Sequence, residues 1–290
     1  MKLGVIFPQT EIGSDPVALK DYAQAVEGMG YHYLSAYEHV LGANPNRPGG
    51  WSGFRPYTFE HSFHEPFVLF GYLAGFTKTL EFVTGILVLP QRTTALVAKQ
   101  AAQVDILSGG RLRLGVGVGW NDVEYRGMGA AFKDRGRRIE EQVALLRELW
   151  TKPLVTFTGR DHTLPDVGLN PLPVQRPIPI WFGGMAEAVL RRMARLGDGW
   201  MPGGSPGPKL AAMIDRLRGY LAKAGRSPAE FGIDGRLNFR SAPPETWGTQ
   251  VEQWRQLGAT HLAVNTMGAG LKSPQAHIDA IRQFKVEVEG

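Results

Sequence analysis

Leu107-Ser108-Gly109-Gly110-Arg111-Leu112-Arg113-Leu114-Gly115-Val116 reads as a helix end, a glycine pair and an apolar strand. Glycine is the usual residue just past a helix C-terminus, where a positive φ is needed. The same order recurs along the chain. Glu27-Gly28-Met29-Gly30 precedes residues 31–36, Leu196-Gly197-Asp198-Gly199 precedes Trp200-Met201, and Leu257-Gly258-Ala259 precedes residues 260–265. Strands are expected at 3–7, 31–36, 80–87, 112–116, 178–182, near Trp200, at 231–239 and at 261–264. Between them Ile139, Val143, Leu146 and Trp150 share one helical face, as do Val189, Leu190, Met193 and Leu196. The strands are continuously apolar rather than alternating, as in a parallel sheet covered on both faces. Eight such units in 290 residues fit an α/β fold, a (β/α)8 TIM barrel with inserted loops, as one domain over 1–290. A doubly wound sheet is the alternative, because periodicity does not show closure.

Composition narrows the chemistry. The chain is 43% hydrophobic and 20% charged, which excludes a mainly disordered protein, and its 37 glycines have no three-residue period, which excludes collagen. It has no cysteine, so disulfide scaffolds, thiolate nucleophiles, cysteine-bound zinc and iron–sulfur clusters are all removed. The start, Met1-Lys2-Leu3-Gly4-Val5-Ile6-Phe7-Pro8-Gln9, does not read as a signal peptide, and the longest apolar run, 66–76, is too short for a membrane helix of about twenty residues. The expectation is a cytoplasmic protein with no membrane partner. The net charge of +5 peaks at Lys133, Arg135, Arg137 and Arg138, running into Glu140 and Glu141; this reads as a solvated helix face, not a nucleic-acid patch.

Three segments, 40–64, 154–177 and 201–208, are too long for simple connections. The first and third follow strands two and six, where a barrel carries its active-site loops. The first holds Trp51, Phe54, Tyr57, Phe59 and Phe63: a lid or a wall for a planar ligand, or a loop pinned by its own cluster. Gly115-Val116-Gly117-Val118-Gly119-Trp120 follows a strand and lets a ligand approach the backbone. It differs from a dinucleotide fingerprint because the third glycine falls early and no helix follows at once. Gly183-Gly184-Met185 opens a helix, where backbone N–H groups hold a phosphate or glycine merely serves the turn. Glu38-His39 ends the second strand; there His39 would move a proton or orient a ring with Glu38 supporting it, unless it is a structural histidine. His61 and His64 in Glu60-His61-Ser62-Phe63-His64-Glu65 lack a spaced third ligand, so no metal is expected. No Gly-x-Ser-x-Gly elbow and no Walker loop occur.

Taken in order, these residues resemble the luciferase-like flavin- and deazaflavin-dependent oxidoreductases over nearly the whole chain. The resemblance rests on Glu38-His39, Thr84-Gly85-Ile86-Leu87-Val88-Leu89-Pro90, the block from Ala98 through Ser108-Gly109-Gly110-Arg111, and the glycine strand to Trp120. Glu124, Gly127, Phe132 and Arg135 continue it, with Pro173-Val174-Gln175-Arg176-Pro177, Gly183-Gly184 and Gly197-Asp198-Gly199-Trp200. It implies a ring of isoalloxazine type across the C-terminal mouth of the barrel, backed by a non-proline cis peptide at Gly85–Ile86. Gly117, Val118 and Gly119 would line the ring, Gly183, Gly184 and Met185 the cofactor phosphate, and His39 would stand beside the ring. Trp51, Phe54 and Tyr57 would cover a small-molecule substrate, and a homodimer is implied. Two departures stand out: Trp120 replaces the proton-donating glutamate of deazaflavin sugar-phosphate dehydrogenases, and Val118 replaces the phosphate-binding arginine of bacterial luciferases. The resemblance favours coenzyme F420 and hydride transfer to or from a small organic substrate. The alternatives are an FMN-dependent monooxygenase using reduced flavin and oxygen, and a cofactor-binding protein with little catalysis.

Overall fold

Short apolar strands alternate with amphipathic helices, and the main sheet is parallel throughout. A computed structural model describes residues 1–48 and 56–289. The strands are β1 (Lys2–Ile6), β2 (Tyr33–Ala36), β3 (Glu81–Thr84), β4 (Leu87–Val88), β5 (Leu112–Gly117), the pair β6 (Val155–Thr158) and β7 (Thr163–Val167), then β8 (Ile180–Gly183), β9 (Gly199–Met201), β10 (Gly232–Asn238) and β11 (His261–Asn265). The sheet runs β3-β2-β1-β11-β10-β9-β8-β5-β4, and a β3–β5 pairing closes the ring. β3 and β4 share the third position, so the barrel has eight positions and the doubly wound alternative falls. β6 and β7 form a separate antiparallel hairpin inside the long 154–177 segment.

The helices are α1 (Pro16–Gly28), α2 (Pro66–Ala74), α3 (Thr94–Ser108), α4 (Asp122–Gly127), α5 (Arg135–Thr151), α6 (Glu187–Leu196), α7 (Pro208–Lys223), α8 (Trp247–Gln256) and α9 (Pro274–Glu289). Local chemistry sets their ends. Asp15 accepts from Val17 N ahead of Pro16, Glu65 from Val68 N ahead of Pro66, and Gly109 closes α3 at φ 71°. The apolar run 66–76 forms α2, with Phe67, Leu69, Phe70 and Leu73 buried. Among the described residues no helix is long and apolar enough to cross a membrane. The basic stretch is held internally: Arg137 pairs with Asp134 and Asp161, Arg138 pairs with Asp134, and Arg135 donates to Phe132 O.

The lower barrel interior is filled, as barrels of this size require. Tyr33, Trp181, Val83, Ile6, Met201 and Ala263 pack there. Arg113 lies over the rings of Tyr33 (4.7 Å) and Trp181 (4.3 Å) and pairs with Asp234 at 3.3 Å, while Tyr33 OH donates to Asp234 at 2.5 Å. Burial raises the pKa of Asp234, against the lowering by Arg113 and the Tyr33 hydrogen bond.

The third strand corrects the sequence reading. Residues 80–87 do not run through as one strand, and the peptide between Gly85 and Ile86 is not cis; the cis bonds among the described residues are Asn170–Pro171 and Arg176–Pro177. The break is made instead by Ile86, whose φ is 128°. The surroundings are crowded: a Cβ on Gly85 would lie 2.7 Å from Tyr37 Cδ1 and 2.9 Å from Ser35 Oγ. A β-branched residue at positive φ is a backbone outlier costing about 1–3 kcal/mol, which the packed surroundings must offset.

Candidate functional site

The C-terminal ends of the barrel strands open into a cavity of about 440 Å3. The chain past β2 supplies Tyr37, Glu38 and His39; the β3–β4 break supplies Gly85 and Ile86. The end of β5 supplies Gly117, Val118, Gly119 and Trp120, and the end of β8 supplies Gly183, Gly184 and Met185. Tyr57 leans in from the first long loop and Arg236 rises from β10. Every site residue expected from sequence that lies among the described residues therefore meets at one cavity. Trp51 and Phe54 lie outside the described residues.

His39 is nearly enclosed. Its ring packs against Tyr57 (4.9 Å), Phe63 (5.0 Å) and Trp120 (5.6 Å), so part of the aromatic loop does fold over it. Its Nδ1 lies 3.0 Å from Glu124 Oε2, while Glu124 Oε1 accepts from Val40 N (2.6 Å) and Leu41 N (3.3 Å). Burial acts to raise the pKa of Glu124, but the hydrogen bonds from His39, Val40 and Leu41 outweigh it and hold the carboxyl below its ordinary value. An ionised Glu124 fixes the proton on Nδ1 and leaves Nε2 as the acceptor nitrogen of the neutral ring. α4 places Glu124, and Asn121 caps that helix by accepting from Val123 N and Glu124 N.

Glu38 does not support His39, which corrects the sequence reading. Successive residues of an extended chain point to opposite sides, and the Glu38 carboxylate turns to Arg92 and to the N–H of Val88. Arg92 also meets Glu65 at 3.0 Å. Burial raises the pKa of Glu38 against the opposing pull of Arg92. Its position is that of a brace tying the chain past β2 to β4.

The glycines have a second job besides exposing backbone. A Cβ on Gly117 would lie 2.6 Å from Ile86 Cγ2, one on Gly183 2.2 Å from Ile86 Cδ1, and one on Gly119 2.6 Å from Val88 Cγ1. Their bare faces thus receive the side chains of the third barrel position. At the β8 turn, Gly184 has φ 115°, its carbonyl accepts from Trp200 Nε1 at 2.9 Å, and the Met185 sulfur accepts from Gly203 N at 3.3 Å. The turn is fixed from below and runs into the N-terminus of α6.

His61 and His64 do not converge on one point: His61 Nδ1 accepts from Thr58 N and His64 Nε2 bonds Gly13 O. Sequence reasoning passed over Tyr37, Arg92 and Arg236, and treated Glu124 only as a matter of spacing. A signal for Arg236 was present, since Asp234, Arg236 and Asn238 place polar groups at period two inside a strand of otherwise apolar and glycine residues.

Residues 1–272 match the family model of luciferase-like monooxygenases. An uncharacterised protein of Mycobacterium tuberculosis (strain ATCC 25618 / H37Rv) is 37% identical over 215 residues, covering 73% of this chain and 74% of that one. The FMNH(2)-dependent dimethylsulfone monooxygenase of Pseudomonas putida is 30% identical, covering 73% of this chain and 59% of its own. The F420-dependent glucose-6-phosphate dehydrogenase of Amycolatopsis mediterranei is 30% identical, covering 76% and 62%. In fold, the monooxygenase RslO1 from Streptomyces bottropensis superposes with a TM-score of 0.81 at 18% identity, covering 100% of this chain and 99% of that chain.

Proposed function

The chain belongs to the luciferase-like monooxygenase family, and we propose that within it this protein transfers a hydride between coenzyme F420 and a small organic substrate. The cavity suits a planar tricyclic ring: its volume falls in the range of small-molecule sites, glycines line two of its strand ends, and its walls are mainly apolar. Tyr37 lines this space, and its hydroxyl, buried beneath the cavity wall, has no hydrogen-bond partner among the described residues. The bound deazaflavin would supply the hydride chemistry, which no side chain of the protein can perform.

The observation that carries the choice of cofactor is the charge of the lining. Among the described residues Arg236 is the only Lys or Arg on the cavity wall, and position 118 presents valine. At the phosphate itself FMN carries a monoester of nearly two negative charges and the deazaflavin a diester of one, the carboxylates of the deazaflavin lying farther out on its tail. Backbone N–H groups at the Gly183-Gly184 turn and the start of α6 suit the smaller charge without a cation.

The residues of the chain divide the remaining work. His39 presents Nε2 to accept or deliver the proton that accompanies hydride transfer, while ionised Glu124 holds the tautomer and stabilises the imidazolium. Tyr57, Phe63 and Trp120 shield His39 from water, and Ile86 supports the ring from the third strand. Fluorescence titration of the cofactor-free protein with coenzyme F420 and separately with FMN tests the reading; tighter F420 binding is expected, and tighter FMN binding overturns it. The similarity to the dimethylsulfone monooxygenase favours a second reading, reduced FMN with oxygen. That reading predicts oxygen uptake in step with product formation.

A further inference from the structure

The floor of the cavity contains a charge that the reaction above does not use. Arg236 lies two residues beyond Asp234 on β10, on the same inward face but one layer nearer the mouth. It stands in register with Ala263 of β11, which packs inside the barrel. The acid on its own strand is already engaged, because Asp234 is taken by Arg113 and Tyr33. Among the described residues Arg236 forms no ion pair; its guanidinium lies 5.0 Å from the centroid of the Tyr37 ring.

A second, independent observation comes from that tyrosine. The Tyr37 hydroxyl is buried with no hydrogen-bond partner among the described residues. A buried hydroxyl left unpaired costs about 1–3 kcal/mol and is normally matched by a ligand or water. Burial pushes its pKa up to about 12, so it is a donor at neutral pH. Arg236 feels Asp234 through space but forms no ion pair among the described residues, and the Tyr37 hydroxyl just beneath the wall has no acceptor; a negatively charged oxygen brought to this part of the cavity would serve both.

We propose that Arg236 and the Tyr37 hydroxyl form an anion-recognition subsite at the floor of the mouth cavity, which takes a carboxylate of the substrate. The assignment deepens the proposed function and rests on it only in treating this cavity as the substrate's. Arg offers a planar fork of donors that matches a carboxylate, and the tyrosine adds a third donor from the side. Hydride transfer would then act on compounds bearing an acidic group, with neutral analogues bound weakly. The carbonyl edge of a bound cofactor is another source of a partly anionic oxygen, and the experiment separates the two.

Calorimetric titration of the full chain with benzoate and with its neutral isostere benzamide tests the subsite, first without cofactor and then with saturating coenzyme F420 or FMN, whichever binds. Benzoate is expected to bind about ten- to a hundredfold more tightly than benzamide, the range of a charge-assisted contact. Arg236→Gln should abolish that preference, Arg236→Lys should keep part of it, and Tyr37→Phe should reduce it with the fold intact. Equal affinity for the two probes in the native protein, or an undiminished preference in Arg236→Gln, overturns the proposal. Displacement of benzoate by the cofactor also overturns it, since the oxygen would then be the cofactor's. The cofactor-free arm does not depend on which cofactor binds, so failure of the hydride-transfer reading leaves it interpretable.

Discussion

Replacing Glu124 by glutamine removes one charge and keeps the shape, and its consequences can be worked from the three bonds the carboxylate accepts. Val40 N at 2.6 Å and His39 Nδ1 at 3.0 Å are the short ones; Leu41 N at 3.3 Å contributes less. Bonds to a charged acceptor are worth about 1.5–3 kcal/mol and neutral ones about 0.5–1.5. Two such exchanges, partly offset by relief of the desolvation penalty, give a loss of about 2 kcal/mol at pH 7. The sign with pH follows from the lowered pKa of Glu124. Its stabilisation is present above the unfolded-chain pKa of about 4.3 and is lost as pH falls through the lower folded value. Urea denaturation at pH 7, 5, 4 and 3.5 should therefore show a gap between native and Glu124→Gln proteins that closes on the acid side. The amide should also keep its carbonyl on Val40 and turn its NH2 toward Nδ1, moving the ring proton to Nε2, which nitrogen NMR of His39 detects. A gap that persists unchanged down to pH 3.5, together with an unmoved tautomer, refutes the assignment of Glu124 as an ionised partner.

Gly183→Ala should cost about 1–3 kcal/mol by overpacking and push Ile86 into the cavity, since the new methyl would lie 2.2 Å from Ile86 Cδ1. Adding Ile86→Ala should restore cofactor binding, and strictly additive losses in a double-mutant cycle would contradict the contact. Asp234→Asn should lower unfolding free energy by about 1–3 kcal/mol, because it removes the buried countercharge of Arg113 and leaves it only the part-exposed Glu81 at 3.4 Å. Arg113→Met in the same chain should recover part of that in denaturant melts, and no recovery argues against the pair. His277 is fully buried and its pKa is pushed down to about 4 by desolvation. The unfolded chain takes up this proton from about pH 6.5, so stability should fall by roughly 2 kcal/mol between pH 6.5 and 4.5 from this group. His277→Gln should flatten that slope, measured by thermal melts across the window.

The barrel was legible because its signal is local and repeated. Helix, glycine and apolar strand follow one another often enough that all eight positions are found from residues such as Gly109, Gly197 and Gly258. Closure was not legible, since the β1–β11 pairing joins residues some 259 positions apart, brought together only by the completed ring. The mouth cavity was legible where glycine or histidine marks a strand end, as at His39, Gly117 and Gly183. It was not legible where the decisive contact spans the chain. Glu38 is the carboxylate next to His39 in sequence, yet an extended backbone aims neighbouring side chains apart, and the partner comes from Glu124, 85 positions away. The irregularity at Gly85–Ile86 was expected as a cis peptide within one strand over 80–87 and is instead a break at a trans bond, because the crowding by Tyr37 and Ser35 is tertiary.

The glycines of the lower barrel are the moulds of particular rings. A Cβ on Gly4 would lie 2.3 Å from Tyr33 Cζ, one on Gly199 2.3 Å from the Trp181 indole, and one on Gly232 2.1 Å from its far edge. Each ring therefore requires its glycine, and no side chain can be added at the glycine while the ring is in place. A descendant of this chain that lost Trp181 would gain freedom at two strands at once, and one that gained a side chain at Gly232 would need a smaller residue at 181 in the same step. Mutational history at the floor of the barrel is thus tied into small linked sets. The described part of the first mouth loop is linked in the same way, since a Cβ on Gly42 would lie 2.5 Å from Phe59 Cα and one on Gly127 2.5 Å from Leu41 Cδ1.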